Sequence, residues 1–350
     1  MIEFYDLEFE RVEDFLRDIG AEKVAIQLPE GLRPLASDIA EGIRGMNLEI
    51  LFMGGSCYGA CDIADESAGS LGCDGLIQYG HSEMDFSTSI PTLFVEARSR
   101  CDLLGSVENL LDRLKGSAWG LVATVQHVDN LDEVQDFLER KGIKSLIGEP
   151  GPRCKYPGQI LGCDWHSATS LEGDVDGYLY FGTGEFHSRG VALSTKKKVI
   201  SINPFSEDFN VISSDLDRFM RKRAASLDSA KSSNELGILV STKKGQQRFH
   251  LARFIRDKLE KAGYKSYIIV FDEIDPNKAV DYDFDAYVNT ACPRIPFSDS
   301  EAFNVSILTP FEALVMVGER EWDSYELDEF GLSWNGFDEK EEFGNSSSEA

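Results

Sequence analysis

CDGLIQYGHS (73–82) returns twice in this chain, as VDGYLYFGTGEFH (175–187) and as FDAYVNTACPRIP (284–296). Each copy carries an aspartate in second position, runs through apolar and aromatic residues, and ends in a small-residue loop bearing His or Cys. A short apolar run bounded by small residues reads as a strand buried on both faces, the kind found in parallel sheets. Repetition at long intervals is the first thing to pursue in a sequence, because it exposes the unit of the fold.

Working outward, two strand-like runs precede each copy and one follows it. First strands read KVAIQLPEGL (23–32), GLVATVQH (120–127) and ELGILVSTKKGQ (235–246). Second strands read LEILFMGG (48–55), KSLIGEP (144–150) and KSYIIVFDE (265–273), and fourth strands PTLFVEA (91–97), KKVISINP (197–204) and VSILTP (305–310). Between first and second strands lie amphipathic helix patterns: Leu32, Leu35, Ala36, Ile39 and Ile43; Leu131, Val134, Phe137 and Leu138; Leu251, Phe254, Ile255 and Leu259. Asn130 and Glu133 are spaced as a capping box, and Gly263 is placed to close the third helix. Strands alternating with helices predict an α/β protein of three related domains, each a small parallel sheet flanked by helices. The expected boundaries are 1–105, 106–225 and 226–320, with a charged helical bridge within 206–232 and an acidic tail over 321–350. That tail is expected to be a solvated terminus with its last dozen residues disordered.

The chain has 350 residues, enough for several cores, with 61 acids against 35 bases and a net charge of −26. That balance argues against nucleic-acid binding through the surface field, although an acidic chain can still hold a local basic patch. No apolar run approaches a membrane span and MIEFYDLEFERVEDF (1–15) has no signal-peptide pattern, so a cytoplasmic protein is expected. Seven cysteines occur, at 57, 61, 73, 101, 154, 163 and 292. In a reducing compartment disulfides explain them poorly, and the default is a small buried hydrophobe.

Ligands of parallel α/β sheets collect at strand carboxyl ends. The residues just past strand ends include PEG (29–31), GGSCYGACD (54–62), GHS (80–82), QH (126–127), LGCD (161–164), GTGEFH (182–187), STKKGQ (241–246) and ACPR (291–294). One cysteine-bearing loop falls in each domain: GAC at Cys61, LGC at Cys163 and ACP at Cys292. They would converge only if the domains faced one another with strand ends inward. Three thiolates from three domains suit structural zinc poorly, since zinc ligands come in close pairs closed by a fourth. They suit a 4Fe-4S cluster with three protein ligands and one open iron. GTGEF (182–186) is not a dinucleotide fingerprint, because His187 stands where glycine is wanted, and KKGQ (243–246) is not a P-loop.

An ordered set of segments resembles one family: LPEGLR (28–33), YGACDIAD (58–65), GHS (80–82), QH (126–127), PGQILGCD (157–164), FGTGEFH (181–187), KKGQ (243–246), ACPRIP (291–296) and LTPFEA (308–313). The family is the archaeal 2-(3-amino-3-carboxypropyl)histidine synthases, which act first in diphthamide biosynthesis. The resemblance implies a triangle of three α/β domains around a 4Fe-4S cluster held by Cys61, Cys163 and Cys292, with no catalytic side chain beyond those ligands. It implies S-adenosylmethionine as second cofactor, cleaved between sulfur and the γ-carbon to methylthioadenosine and a 3-amino-3-carboxypropyl group of radical character. That group would pass to imidazole C2 of a histidine in translation elongation factor 2. It further implies an electron donor and a homodimer. One departure matters: Cys57 is an extra thiol that the family pattern does not need. CxxxCxxC, the signature of ordinary radical enzymes that use S-adenosylmethionine, is absent because residue 64 is alanine, and the different ligand geometry fits cleavage of a different bond.

The zwitterionic end of S-adenosylmethionine needs donors and acceptors near helix starts. Gly31 in PEGL, and Gln246 in KKGQ, precede helix patterns, and His187 is a further side-chain candidate. His81, His127 and His187 at strand ends, and Cys73, Cys101 and Cys154, have the ordinary structural reading as default. Two other functions fit a three-cysteine chain: an enzyme like quinolinate synthase, and a zinc-stabilised scaffold without activity. The acidic surface leads us to expect a partner with a basic face.

Overall fold

The computed structural model describes residues 2–206, 208–212, 216–298, 300–331, 333–334 and 337–339. Three sheets form. The first comprises β1 (Lys23–Gln27), β2 (Glu49–Met53), β3 (Gly75–Tyr79) and β4 (Thr92–Val95), all parallel, in the order β2-β1-β3-β4. The second comprises β5 (Trp119–Ala123), β6 (Ser145–Ile147), β7 (Gly177–Phe181), β8 (Lys198–Ile202) and β9 (Phe209–Ile212), in the order β6-β5-β7-β8-β9. The third comprises β10 (Glu235–Ser241), β11 (Lys265–Phe271), β12 (Ala286–Asn289) and β13 (Ser306–Leu308), parallel, in the order β11-β10-β12-β13. The first four strands of every sheet therefore follow one order, and all twelve expected strands are present.

The repeat is chemical as well as topological. The aspartate that opens each third strand holds the start of the first. Asp74 accepts from the backbone N–H groups of Glu22 (2.8 Å) and Lys23 (2.9 Å). Asp176 accepts from Ala118 N–H (2.8 Å), and Asp285 from those of Asn234 (2.7 Å) and Glu235 (3.0 Å). These N–H donors lower the Asp74 and Asp285 carboxyls below their ordinary value. Further along, Ala25 pairs with Leu76, Gly120 with Tyr178 and Gly237 with Tyr287. A Cβ on Gly120 would stand 2.5 Å from the Tyr178 ring, and one on Gly237 2.6 Å from Tyr287. Glycine is thus needed where tyrosine replaces leucine. Each tyrosine hydroxyl then reaches a helix-end carbonyl, Tyr178 to Ala168 (2.7 Å) and Tyr287 to Ala279.

Helices cover the sheets with the expected stripes. Ile39 and Leu35 pack on Val24, Ile26 and Ile77; Leu131, Val134 and Leu138 on Leu121 and Leu179; Leu251, Ile255 and Leu259 on Ile238 and Val288. Gly263 follows Phe249–Lys261 with φ +95°, as a helix terminator should. The expected capping box at Asn130 does not form. A 3-10 helix, Val125–Asn130, runs straight into the helix Leu131–Arg140, so Asn130 is itself helical and makes no side-chain cap. The capping box that does form is Thr309–Glu312, in LTPFEA. Among the described residues no helix is long and apolar enough to cross a membrane.

The chain packs as two compact units: Met1–Ile160 with His166–Gly184 and Ile200–Asn210, and Leu161–Trp165 with Glu185–Val199 and Val211–Ala350. The bridge within 206–232 is a helix, Leu216–Ala230, preceded by the unexpected strand β9. The expectation of a solvated carboxyl terminus needs correction. Phe337 packs in the third core against Phe254, and Asp328 and Glu339 are buried on either side of the Arg248 guanidinium. A buried arginine needs counter-charges, and the acidic tail supplies them. Residues 340–350, which include most of the segment expected to be disordered, lie outside the described residues.

Arg223, on the bridging helix, is also buried. It pairs with Glu312 through Nε (2.7 Å) and donates to the carbonyls of Pro296 (3.0 Å) and Ile307 (2.7 Å). Arg223→Ala leaves Glu312 charged and buried, and should cost about 3–5 kcal/mol in urea unfolding. Arg223→Met combined with Glu312→Gln removes that stranded charge and keeps an amide for the Thr309 cap. The pair should cost less than Arg223→Ala alone.

Candidate functional site

A parallel strand must leave its sheet at the carboxyl end, and the three cysteine loops all do so. After β2 the chain runs through 54–64 before the helix Asp65–Ser70. The buried Gln27 side chain, at the end of β1, governs this loop. Its Nε2 donates to the carbonyls of Ser56 (3.0 Å) and Asp62 (2.8 Å), and its Oε1 accepts from Ala64 N–H (3.0 Å). Arg33 adds a bond to Gly55 O (2.7 Å). Inside the loop Asp62 accepts from Tyr58 N–H (3.2 Å), closing a turn around Cys61. A Cβ at Gly59 would come within 3.2 Å of Cys61 Sγ, so the loop is kept small around that sulfur.

The two thiols of this loop differ. Cys57 is buried, and burial above all, with the nearby Asp62 carboxylate, pushes its thiol up to about 12; Gln78 Nε2, 3.5 Å from Sγ, opposes the shift. Such a group is a protonated core thiol. Cys61 is half-buried. Cys73 lies among Ala25, Ala68 and Leu76 in a small apolar cluster, in keeping with its structural reading.

Cys163 sits at the tip of a tight turn. Leu161 and Asp164 exchange both backbone bonds across it, N–H to O at 3.0 and 3.3 Å. Gly162 beside it meets the Phe186 ring so closely that no Cβ fits. The approach to the turn extends β5, with Ile160 N–H bonded to Ala123 O (3.0 Å). It is pinned by buried Gln159, which accepts from the N–H groups of Lys155 (2.9 Å) and Tyr156 (3.2 Å) and donates to Ser82 Oγ (2.8 Å). Cys292 follows β12 directly. Asn289, fully buried, donates to the Cys292 carbonyl (3.0 Å), and the Ile295 N–H does the same (3.1 Å) as the helix Arg294–Ser298 begins. Both cysteines are half-buried. Each cysteine loop is therefore fixed by a buried carboxamide, Gln27, Gln159 or Asn289, none of which the sequence alone singled out. Polar residues inside apolar strands were the available signal, since a buried amide requires bonded partners.

Within the second unit the Cys163 and Cys292 loops are tied through Phe186. Its ring packs on Gly162, stands 5.2 Å from Phe297, and lies 5.8 Å under the Arg294 guanidinium. His187, adjacent in the same helix (Phe186–Thr195), is lowered to about 4 by burial and by Arg294. Gln246 is buried in a turn whose N–H bonds Lys243 O (2.8 Å). Gly31 belongs to the first unit, exposed in the 3-10 turn Glu30–Leu35, with open space where a Cβ would be. The structure therefore gathers Cys163, Cys292, His187 and Gln246 in one unit, and Cys61 and Gly31 in the other. Within either unit no three His, Cys, Asp or Glu side chains among the described residues form a metal-ligand group. The donors nonetheless fit thiolate ligation: half-buried cysteines, on backbones held by internal bonds, in loops small enough to admit a bulky group.

Two outcomes follow from these contacts. Gln27→Leu strands two carbonyls and one N–H of the 54–64 loop, and should destabilise the fold by about 2 kcal/mol while speeding hydrogen exchange at Ala64. His127 is buried and lowered to about 4 from 6.5. Its unfolded form takes a proton first, so stability is full above pH 6.5 and falls as pH drops toward 4, by up to about 1.4 kcal/mol per pH unit. His127→Phe should reduce the slope in urea titrations between pH 6.5 and 5 by that amount, leaving the like contributions of His81 and His187.

Comparison with known proteins places these features in a family. Residues 28–326 match the family profile described as "Putative diphthamide synthesis protein". The 2-(3-amino-3-carboxypropyl)histidine synthase of Pyrococcus horikoshii is 39% identical over 316 residues, covering 90% of each chain. Subunit 1 of the Gallus gallus 2-(3-amino-3-carboxypropyl)histidine synthase is 32% identical over 338 residues, 93% of this chain and 80% of that one. The crystal structure of Dph2 from Pyrococcus horikoshii with a 4Fe-4S cluster superposes with a TM-score of 0.86 at 37% identity, covering 93% of this chain and 94% of that one. The family match and these likenesses agree: the chain belongs to the diphthamide synthesis protein family, beside the 2-(3-amino-3-carboxypropyl)histidine synthases.

Proposed function

We propose that this protein is a transferase that moves the 3-amino-3-carboxypropyl group of S-adenosylmethionine onto imidazole C2 of a histidine in translation elongation factor 2. Cys61, Cys163 and Cys292 hold a 4Fe-4S cluster, and Gly31, His187 and Gln246 contact the sulfonium cofactor. The observation that carries this reading is a half-buried cysteine in each of three carboxamide-pinned, strand-end loops, the second of which also holds half-buried Cys154, in a chain whose relatives carry the synthase name. A reduced cluster held by Cys61, Cys163 and Cys292 would supply the electron for cleavage of the bond between sulfur and the γ-carbon.

The chain's own residues do the rest. Cys57, protonated in the core, leaves Cys61 as the thiolate of its loop. His187, neutral through burial and Arg294, offers a lone pair to the cofactor's ammonium group without adding charge. The Gln246 amide, with one donor and one acceptor face, suits the zwitterionic end. The Phe186, Phe297 and Trp165 rings near the Cys163 turn keep water from that flank, as a reactive carbon intermediate demands. The protein acts in the cytoplasm as a homodimer supplied by an electron donor, and its acidic surface favours a partner face that is basic. The relatives' name and the cluster of the Pyrococcus structure favour this function over a quinolinate-synthase-like enzyme or a zinc scaffold.

The test is anaerobic. Protein reconstituted with iron and sulfide is reduced with dithionite and given S-adenosylmethionine, and the nucleoside product is identified by mass. Methylthioadenosine is expected. Alanine at 61, 163 or 292 should lower its rate at least about 100-fold, whereas Cys57→Ala should leave it within about threefold. Deoxyadenosine as product, or an intact cluster with no cleavage, would overturn the proposal.

A further inference from the structure

The carboxyl-terminal segment Leu327–Gly331 does more than neutralise Arg248. It lies past residue 326, where the family match ends, and composition alone marks it as a polar tail. Its backbone nevertheless reaches the Cys163 turn, where Phe330 N–H donates to the Cys163 carbonyl (3.1 Å). That bond ties the segment to the loop that carries the second cysteine.

The grip is anchored at one point. Arg248 is fully buried, and its five donors are nearly all directed at this segment and at Glu339. Nη1 reaches both Asp328 oxygens (2.9 and 3.1 Å), Nε reaches Glu339 (2.6 Å), and Nη2 reaches the Glu329 carbonyl (3.1 Å). The guanidinium also lies 4.5 Å over the Phe330 ring, and Gly331 N–H closes onto Glu339 (2.9 Å). Arg248 stands two residues after Gln246, immediately before the helix Phe249–Lys261. A single buried arginine therefore connects the turn bearing Gln246 to the strand of chain that holds the Cys163 loop.

We propose that Leu327–Gly331 is a positioning strap that fixes the Cys163 turn for ligation, with the Phe330 backbone amide as its contact and Arg248 as its anchor. This rests on the ligand role assigned to Cys163 above, but the strap can be tested apart from it. Phe330→Pro removes the amide donor, and Phe330→Leu keeps it. In the metal-free full-length protein, iodoacetamide alkylation of Cys61, Cys163 and Cys292 is followed by peptide mass spectrometry. Phe330→Pro should alkylate Cys163 at least about fivefold faster with Cys61 unchanged, and Phe330→Leu should match the parent within about twofold. Arg248→Lys, which keeps the charge but loses the fork, should show the same selectivity should the proline variant fail to fold. An unchanged Cys163 rate in a folded variant, or an equal rise at all three cysteines, would overturn the strap.

After reconstitution, Phe330→Pro should lose iron to a chelator at least about fivefold faster and alter the reduced cluster's electron paramagnetic resonance spectrum, with Phe330→Leu restoring both. Selective alkylation without any change at the cluster would keep the strap's hold on the loop and overturn its part in ligation, placing the failure on the ligand role of Cys163.

Discussion

A parallel strand has to cross the whole depth of its sheet before it can pair again, so every turn at one end of the sheet is a departure and every turn at the other a return. That constraint organises this protein. Strand order two-one-three-four is repeated in three sheets, and in each the departing chain forms the loop in which a cysteine is found. The loops are not in register with one another. Cys61 and Cys163 lie between second and third strands, whereas Cys292 follows the third strand immediately. The shared feature is the end of the sheet, not the position in the repeat.

Such loops would be floppy were their backbone groups left to water. Here amide side chains take over. Gln78 and Asn289 occupy matching positions on β3 and β12, paired with Gln27 and Leu239 respectively, and both reach the loop beside them; Gln27 does the same from β1. A carboxamide has a donor and an acceptor side by side and no charge, so it can replace two missing backbone partners at low desolvation cost. In the second sheet the position matching Gln78 is Tyr180, and the carboxamide comes instead from Gln159 in the loop itself. The repeats keep the requirement and vary the residue that meets it.

Charge is handled by the same logic. An excess of acids is tolerable on a surface, where water screens it, and costly inside. Arg223 and Arg248 draw carboxylates inward and satisfy them by forked bonds; in doing so they weld a bridging helix and the acidic tail to the third sheet. Treating the tail as solvated followed from its composition, and composition is blind to a counter-charge 80 residues upstream.

The strands, the three helical stripes, the helix stop at Gly263 and the repeat itself were legible in the sequence, because each depends on neighbours within a turn or a pleat. The aspartate opening every third strand was legible as a pattern, but its purpose was not. The missed features share a physical cause. Gln27 meets its partners 29 to 37 residues away, Gln159 meets Ser82, Arg248 meets Asp328, and Phe330 meets Cys163. Asn130 failed as a cap because the preceding chain was already helical. Local periodicity by itself determined which segments are strands and helices, and so where loops depart. Which polar group satisfies which loop was decided only when distant segments were buried together, since a hydrogen bond has no sequence signature until water is excluded from both its partners.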